Sequence, residues 1–591
     1  MNEPNFLPIN VKQETIVQPK PIKVGRTWRD KIVLGLIFGV LIFLVAFGYP
    51  AADAVYRGYK ILPIVQEVKN TAQAGEYENL YPQVKELRYQ LSHLSRDTKA
   101  LSSLSFIPGI GPEIKKSYYT ARGSERLLTA VLPVIEVFGK SEHLSDLSDE
   151  ERRNVINYLA SQSTNINLAA SQLSAGQSFW TPEEMKEVIP VLQKFAYISP
   201  ELPNLLGVNE PKRYLVLFAN NLEIRPAGGF IGSYAVVTVK DGSIAEVLVR
   251  DSYDLPRARN VNLGPTAPAI MQQYLRIRGL TFRDSTWFPD YPTTAVQAKQ
   301  GFIREGGQYA TEISGVFMVT TEILKELLKI TGPIKVETDT YNADNVIVEL
   351  QKQVELDFYF ENIPFSRRKD VVGTLAQNLK DRFDLMPAAQ KIEIIKVFGE
   401  LAERRHAAFY FEDGRVQSLF AENGWDGRML PYQSDTLMVV DTNLMGWKTE
   451  PVMTKTYTYD VDLSEGQGRA HLDVHYHHRG QFNPLVSNYR TYVRVFAPKG
   501  SKLISSSAGP VDVTEENDRT VFGVLTTIPV GQEKTISFDY LLPQNIKADN
   551  YQVRFLKQLG AYPVNLRINA DFGSVNKSYS EFVDTNKDYL F

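Results

Sequence analysis

The chain has 591 residues, a net charge of −3 and no cysteine. Its length is enough for about three or four domains at roughly 150 residues each. The near-neutral net charge gives no reason to expect a nucleic-acid partner, which would usually require a strongly basic face. The absence of cysteine excludes disulfides, zinc–thiolate sites, iron–sulfur clusters and cysteine nucleophiles.

The N-terminal region predicts a membrane anchor. Residues 1–28 are polar and proline-containing, which indicates a disordered cytoplasmic tail. Residues 32–49 carry no charge, and with the next three residues they reach the about 20 needed to cross a bilayer. Basic residues precede this run, so the positive-inside rule places the N-terminus in the cytoplasm and the remainder outside. We predict a single transmembrane helix over 29–52 in the cell membrane; a cleaved signal peptide is the alternative.

Residues 53–205 predict a helical stalk. One apolar seam steps by four and three residues, which is typical of an antiparallel bundle; its members are Leu80, Val84, Leu87, Leu91 and Leu94. Ser148 followed by Glu151 predicts a capped helix start. A binding groove between the helices is the alternative to a spacer.

Strand and helix patterns alternate over residues 206–442. Apolar strands are predicted at 213–218 and 314–320, and a hairpin turns at Lys240-Asp241-Gly242. Residues 443–591 are rich in alternating strands. We therefore predict a multidomain α+β protein, with a transmembrane helix, a helical-bundle stalk, an α/β core around a mixed sheet (206–442) and a C-terminal β-sandwich (443–591).

Charged residues cluster at strand ends in the core. Glu223 and Arg225 follow the first strand, and Arg250-Asp251 closes the hairpin. Guanidinium groups bind phosphate oxygens in bidentate fashion, so this set predicts an anion site with these four residues as catalytic candidates. The alternative is a structural ion-pair network without a ligand.

Three further features of this stretch extend the predicted site. Asn220 lies at the polar turn, where it binds ligand or caps the turn. Gly228 and Gly229 would let the backbone approach a ligand closely, or would form a tight connection. Asp251 and Asp254 could bind Mg²⁺, which needs one or two carboxylates.

The stretch "NNLEIRPAGGFIGS…DGSI…RDSYDLP" resembles the hallmark of a bacterial envelope family known as domain of unknown function 4012. Further segments similar to that family follow in order, among them "WFPDYPTTAVQAKQGFIREGG" and "DTNLMGWKTE". The resemblance covers roughly residues 60–545. It implies a location in the cell envelope and brings no established activity.

The core also resembles, more distantly, the LytR-CpsA-Psr phosphotransferases, which move a glycopolymer from a polyprenyl-pyrophosphate lipid to the cell wall. The likeness lies in the order of elements and residue types, from the polar turn to a late basic helix. It implies that Arg367, Arg368 and Gln377 help to bind a pyrophosphate. The Ser-Asp-Thr and Ser-x-Pro-Arg-Asp strings of those enzymes are not reproduced in their places.

These observations lead to two functional hypotheses. In the first, a membrane-anchored extracytoplasmic protein transfers a glycopolymer from polyprenyl pyrophosphate to a cell-surface acceptor. It predicts that Glu223, Arg225, Arg250 and Asp251 converge on a pocket with an apolar tunnel. In the second, the protein is a non-catalytic envelope scaffold or a module that binds polysaccharide or protein.

Three histidines in the sandwich form a separate pattern. His471, His475 and His477 would share one face of a strand. Such a face could bind zinc or copper, or could simply be exposed.

Overall fold

A computed structural model describes most of the chain. The described residues are 38–39, 42, 44–74, 76–139, 146–178, 183–260, 262–464 and 466–591. The predicted tail 1–28 and half of the residues of the predicted transmembrane helix 29–52 lie outside them. Within the described ranges, no helix is long and apolar enough to span a bilayer.

The described chain up to residue 205 is helical. Its helices are α1 Tyr49–Ala74, α2 Tyr77–Leu101, α3 Gly111–Phe138, α4 Asp149–Ser161, α5 Ser163–Ala175, α6 Glu183–Ile198 and α7 Leu202–Leu205. Helix α2 packs against both α1 and α3. Four members of the predicted seam, all but Leu94, are buried. Ser148 and Glu151 form the predicted capping box at the start of α4.

The core domain is built on a five-stranded mixed sheet. Its strands are β1 Lys212–Asn220, β2 Phe230–Lys240, β3 Ser243–Asp251, β4 Ile313–Thr320 and β7 Ala407–Phe411, in the order β3-β2-β1-β4-β7. Only β1 and β4 pair in parallel in this sheet. Asp241 and Gly242 both have positive φ at the β2–β3 turn, as a tight hairpin requires.

Helices surround this sheet and a small hairpin lies beside it. The helices are α8 Ala269–Leu275, α9 Tyr291–Arg304, α10 Glu322–Thr331, α11 Val346–Lys352, α12 Phe358–Phe360, α13 Asp370–Asp384, α14 Ala388–Glu403 and α15 Gly414–Glu422. The hairpin pairs β5 Ile334–Val336 with β6 Asp339–Tyr341. A π-helical segment, Gln353–Asp357, joins α11 to α12.

Two six-stranded sheets share one hydrophobic core in the C-terminal part. The strands are β8 Asp435–Asn443, β9 Met453–Asp462, β10 Arg469–His478, β11 Tyr489–Pro498, β12 Lys502–Ser506, β13 Asp512–Glu516, β14 Arg519–Ile528, β15 Glu533–Leu541, β16 Gln552–Phe555, β17 Val564–Asp571, β18 Asn576–Val583 and β19 Lys587–Leu590. The sheet orders are β12-β15-β10-β9-β17-β18 and β13-β14-β11-β8-β16-β19.

Strand β8 belongs to the second of these two sheets, because it pairs with β11 and β16. The predicted boundary at 442/443 therefore cuts through a strand and is wrong. Its sequence predicts a core strand because it follows a strand–helix pattern along the chain. All nine of its residues are buried, so periodicity could not indicate which sheet receives it.

The core and the sandwich contact one another through buried polar groups. Asn221 donates from Nδ2 to the Gly560 carbonyl oxygen over 3.1 Å. Gln558 donates to the carbonyl oxygens of Arg225 and Asp441, and thereby connects the two domains. The backbones of Gly228 and Gly560 pass so closely that a Cβ on Gly560 would lie 2.2 Å from the Gly228 carbonyl oxygen.

We expect Gly560→Ala to destabilise the protein by roughly 2–4 kcal/mol, because it combines a left-handed backbone with a clash against main chain. Gly560 has φ +75°. Gly531→Ala is the matched control: its φ is +74° and nothing lies within 4 Å of its Cβ position. That variant should lose only the conformational part, roughly 1–2 kcal/mol. Denaturant unfolding of the two variants measures the difference; equal losses would contradict the close approach.

Candidate functional site

A cavity of about 750 Å³ lies between one face of the five-stranded sheet and four helices. Its deep walls are apolar and come from β1, β4, β7, α10, α11, the π-helical segment after α11, α13 and α14. The wall residues include Val216, Phe218, Phe317, Val319, Ile323, Leu324, Leu327, Ile347, Leu350, Val354, Val372, Leu375, Leu379, Phe398 and Phe409. Protein interiors are close-packed and hold few voids larger than a water molecule, so this cavity is not a packing defect.

Strand alternation explains why this face is apolar. Phe317 pairs in register with Phe409 on β7, and Phe218 lies on the neighbouring strand β1. Side chains on the same face of a strand are two residues apart. The intervening residues, such as Leu217 and Met318, enter a different core on the opposite side of the sheet. Both faces are therefore buried, and one of them borders the cavity.

Charged side chains lie at the mouth of the cavity, and Glu223 is bound between two of them. Arg225 donates from Nη2 to Glu223 Oε1 over 3.0 Å, and Lys448 donates from Nζ to Oε2 over 2.9 Å. Burial acts to raise the pKa of Glu223, but the nearby Lys448 and Arg225 outweigh it and the pKa is lowered. Glu223 is therefore a carboxylate at neutral pH and holds both cations in place.

A second ion-pair cluster forms around Asp251. Arg368 donates to Asp251 Oδ2 over 3.4 Å, and Lys369 donates to Oδ1 over 3.1 Å. Arg368 also lies 3.6 Å from a carboxylate oxygen of Glu355. Burial lowers the pKa of Lys369 to about 8; Asp251 opposes this shift and Arg368 adds to it. Lys369 can therefore change charge near neutral pH.

Several buried guanidinium nitrogens at the mouth have no hydrogen-bond acceptor among the described residues. They are Nε and Nη1 of Arg225, Nη1 of Arg283 and Nε of Arg368. Arg225 is only 5% exposed and Arg368 only 8%. Buried polar groups are normally paired, and a guanidinium can only donate. Donors left unpaired at a cavity mouth are able to bind an anion.

A smaller cavity of about 410 Å³ lies next to the large one. Ser233 and Lys369 line both cavities. The remaining lining is mostly polar and comprises Val249, Arg250, Asp251, Asp254, Ser366, Asp370, Gly373, Thr374, Gln377 and Asn378. The two cavities therefore share a wall that contains a lysine able to change charge.

The structure divides the sequence-predicted residues between these cavities. Asn220, Glu223, Arg225 and Arg368 line the large cavity, whereas Arg250, Asp251, Asp254 and Gln377 line the small one. The predicted convergence of four residues on one pocket is therefore wrong for Arg250 and Asp251. Arg250 is exposed, and its guanidinium donates to the carbonyl oxygen of Val249 among the described residues. Asp251 reaches the mouth indirectly, through Arg368 and Lys369.

Three predicted residues line neither cavity. A Cβ on Gly229 would lie 2.3 Å from the Asn220 carbonyl oxygen, and one on Gly228 would lie 2.8 Å from Met318 Sδ. These two glycines allow the chain to pack closely on itself, which was the alternative to a close approach by a ligand. Arg367 is exposed and pairs with Asp370 over 2.9 Å.

Sequence reasoning missed several residues at the mouth. Lys369 follows Arg368 directly, and the basic run "RRK" was the available signal. Arg283 lies 4.3 Å over the ring of Tyr253, and no spacing in the sequence connects them. Lys448 comes from the loop after β8, 225 residues beyond Glu223. Only the docking of the sandwich brings it to the cavity.

The residues present do not fit the predicted Mg²⁺ site. Both carboxylate oxygens of Asp251 already accept from Lys369 and Arg368, so a metal would have to displace two cationic groups. Across the described ranges, no group of three or more His, Asp or Glu side chains could hold a metal ion. That statement includes His471, His475 and His477, which share one face of β10 and lie next to Asp539, Asp473 and Glu533.

Comparison with known proteins gives a family match over part of the chain and no activity. Residues 209–354 match the sequence model of the family described as "Protein of unknown function (DUF4012)". This range contains β1 to β4 and α8 to α11, hence the polar turn at Glu223 and one wall of the large cavity. No curated protein matches the chain.

Proposed function

We propose that this chain, whose residues 209–354 match the DUF4012 family, binds a polyprenyl-pyrophosphate lipid and transfers a glycopolymer from it to a cell-surface acceptor. The lipid tail would lie in the large cavity and the pyrophosphate at its mouth. One observation carries the proposal: a deep apolar cavity opens below buried guanidinium donors that have no hydrogen-bond acceptor within the part of the chain that the structure describes.

The size and the apolar lining of the large cavity suit the hydrocarbon tail of such a lipid. A volume of about 750 Å³ is within the range of roughly 300–1,000 Å³ that is typical of small-molecule sites. Its deep walls carry aliphatic and aromatic side chains, so a branched hydrocarbon would be favoured by about 25 cal/mol for each Å² it buries. A free sugar or nucleotide would leave polar groups unpaired there.

The charged side chains that line the large cavity suit the pyrophosphate headgroup. Five cationic side chains line the cavity, against three carboxylates; the cations are Arg225, Arg283, Arg368, Lys369 and Lys448, and the carboxylates are Glu223, Asp284 and Glu355. The excess of two positive charges suits a pyrophosphate, which carries two to three negative charges. Arginine forks bind phosphate oxygens through charge-assisted hydrogen bonds that are about twice as strong as neutral ones.

The chemistry needs little from the protein beyond positioning and charge neutralisation. An acceptor hydroxyl oxygen would attack the phosphorus that carries the sugar, and the bond from that phosphorus to the bridging oxygen would break. Polyprenyl phosphate would leave, stabilised by the guanidinium groups. Lys369, on the wall between the cavities, would accept the hydroxyl proton in the fraction of the protein in which its amine is neutral, and the resulting ammonium would restore the full positive charge as polyprenyl phosphate leaves.

The cellular setting is part of the same proposal. Polyprenyl-linked glycans are handled at the outer face of a membrane, and the apolar run at 32–49 would anchor the chain there with its bulk outside. The acceptor would be a cell-wall polymer or another surface glycan.

A non-catalytic role is the second candidate, and one observation favours it. The Asp251 carboxylate is neutralised by two cations, Arg368 and Lys369. Such a site could hold the lipid without turning it over. This candidate predicts tight binding of the lipid and no release of polyprenyl phosphate.

Ligand competition tests the proposed function. The full chain in detergent should bind a long-chain isoprenyl pyrophosphate more tightly than the matching isoprenyl alcohol or inorganic pyrophosphate, because only the first fills both parts of the site. A second assay then measures the release of polyprenyl phosphate from a glycan-bearing lipid, which occurs in transfer and not in binding alone. Equal affinity for the alcohol and its pyrophosphate would refute the anion site.

Affinity for inorganic pyrophosphate should fall as the pH rises from 7 to 9. Lys369 has a pKa lowered to about 8, so its ammonium is present below that pH and is lost above it. The Lys369→Arg variant keeps its charge over this range and should flatten the decline. Titration of both proteins at each pH makes the comparison, since the ionisation of the ligand affects them equally. The same slope in both would show that Lys369 does not contact the anion.

A further inference from the structure

An aromatic surface extends outward from the mouth of the large cavity. We call it the aromatic rim; it consists of Phe230, Tyr253, Phe358, Tyr359, Phe360 and Phe365. Ring centroids are 6.5 Å apart for Phe230 and Tyr253, 6.2 Å for Tyr253 and Phe365, and 6.1 Å for Phe365 and Phe358. Tyr359 and Phe360 continue the rim at the helical turn α12.

The outer members of the rim have a large fraction of their aromatic side chains exposed to solvent. Tyr359 and Phe360 are each 75% exposed, and Phe365 is 53% exposed. The inner members, Phe230 and Tyr253, line the large cavity. Contiguous exposed apolar surface on a folded protein usually marks a binding surface. Ring contacts therefore lead from Phe230 at the cavity out to Phe358, and the exposed pair Tyr359 and Phe360 follows Phe358 directly in the chain.

Cations lie along the rim at the point where it meets the cavity. The Arg368 guanidinium is 4.1 Å from the ring centroid of Phe365, and that of Arg283 is 4.3 Å from Tyr253. Aromatic side chains beside basic ones are characteristic of protein surfaces that lie in the headgroup layer of a bilayer. The order from outside to inside is thus exposed rings, then guanidinium groups, then apolar cavity.

We propose that the aromatic rim docks on an anionic phospholipid surface, with Tyr359 and Phe360 inserted among the headgroups. A lipid substrate would then slide along the rings into the cavity until its phosphates meet Arg368, Arg283 and Arg225. This inference rests on the proposed function for its substrate, but the docking itself does not. The path spares a long hydrocarbon tail from crossing water, which would cost about 0.8 kcal/mol per CH₂.

The absence of cysteine makes a direct test possible. Single cysteines are introduced as Tyr359→Cys and Phe360→Cys and carry an environment-sensitive fluorophore. The full chain is reconstituted in vesicles of phosphatidylcholine and phosphatidylglycerol that contain a headgroup-level spin-label quencher. Phe582→Cys is the matched control, because Phe582 is 67% exposed on the sandwich strand β18.

We expect quenching at least about twofold stronger at 359 and 360 than at 582, because docked aromatic positions lie in the interfacial layer. Equal quenching at all three positions would overturn the proposal. Protection of 359 and 360 by a soluble neutral oligosaccharide, with no effect of the lipid quencher, would also overturn it and make the rim a sugar-stacking platform.

A second variant keeps this test separate from that of the proposed function. Tyr359→Ser combined with Phe360→Ser should slow the transfer of isoprenyl pyrophosphate from vesicles to the protein. It should leave the affinity for soluble inorganic pyrophosphate unchanged, since both side chains lie outside the cavity. If the unsubstituted chain fails to bind inorganic pyrophosphate, the anion site fails, and quenching at 359 and 360 still decides the docking.

Discussion

Arg225→Ala should weaken binding of isoprenyl pyrophosphate by about 100-fold, because two charge-assisted hydrogen bonds worth roughly 1.5 kcal/mol each would be lost. Arg225 has two buried nitrogens, Nε and Nη1, that find no acceptor among the described residues. Arg225→Lys keeps the charge but not the fork, so its loss should be smaller, about tenfold. Calorimetry with the full chain in detergent measures both.

The stability of these variants must be followed at the same time. Arg225 pairs with Glu223, and removing one member of a buried ion pair costs roughly 3–5 kcal/mol. Lys448 still compensates Glu223 in the alanine variant. Arg567→Ala is the control, since Arg567 is exposed on β17 in the sandwich. If folded Arg225→Ala binds the lipid as well as the control does, the guanidinium groups are a structural network and the headgroup site is refuted.

Ala376→Trp should abolish binding of the long-chain lipid while binding of inorganic pyrophosphate remains. Ala376 lies on α13 and lines the large cavity, so an indole placed there would occupy the volume proposed for the tail. The expected loss is at least about 100-fold, since a bound tail buries most of its surface. Competition between the long-chain lipid and inorganic pyrophosphate measures the two affinities separately.

Ala376→Ser is the control at the same position, because it adds one oxygen atom and leaves the cavity open. The tryptophan variant extends into empty space, so its stability should change by less than the roughly 1–3 kcal/mol typical of an overpacked core. Retained binding of the long-chain lipid by folded Ala376→Trp would show that the tail lies elsewhere. Parallel loss of inorganic pyrophosphate would point instead to a distorted mouth.

Local patterns in the sequence determined much of the fold. The spacing of Leu80, Val84 and Leu87 predicted a helix face that is buried, and Ser148 with Glu151 predicted the cap of α4. Alternating strands in the C-terminal part predicted the two sheets. These predictions succeed because helix periodicity, capping and strand alternation depend on residues only a few positions apart.

The sequence by itself also predicted Glu223, Arg225 and Arg368 as site residues, because they are charged residues at a strand end and in a late basic helix. Only the tertiary structure decided that Arg250 lies in a different cavity from Glu223, that β8 joins the sandwich, and that Lys448 completes the mouth across 225 residues. The physical reason is that docking depends on complementary surfaces distant in the chain, which no local period records. Likewise, which guanidinium nitrogens lack an acceptor among the described residues depends on the positions of all neighbouring side chains, and the sequence does not give those positions.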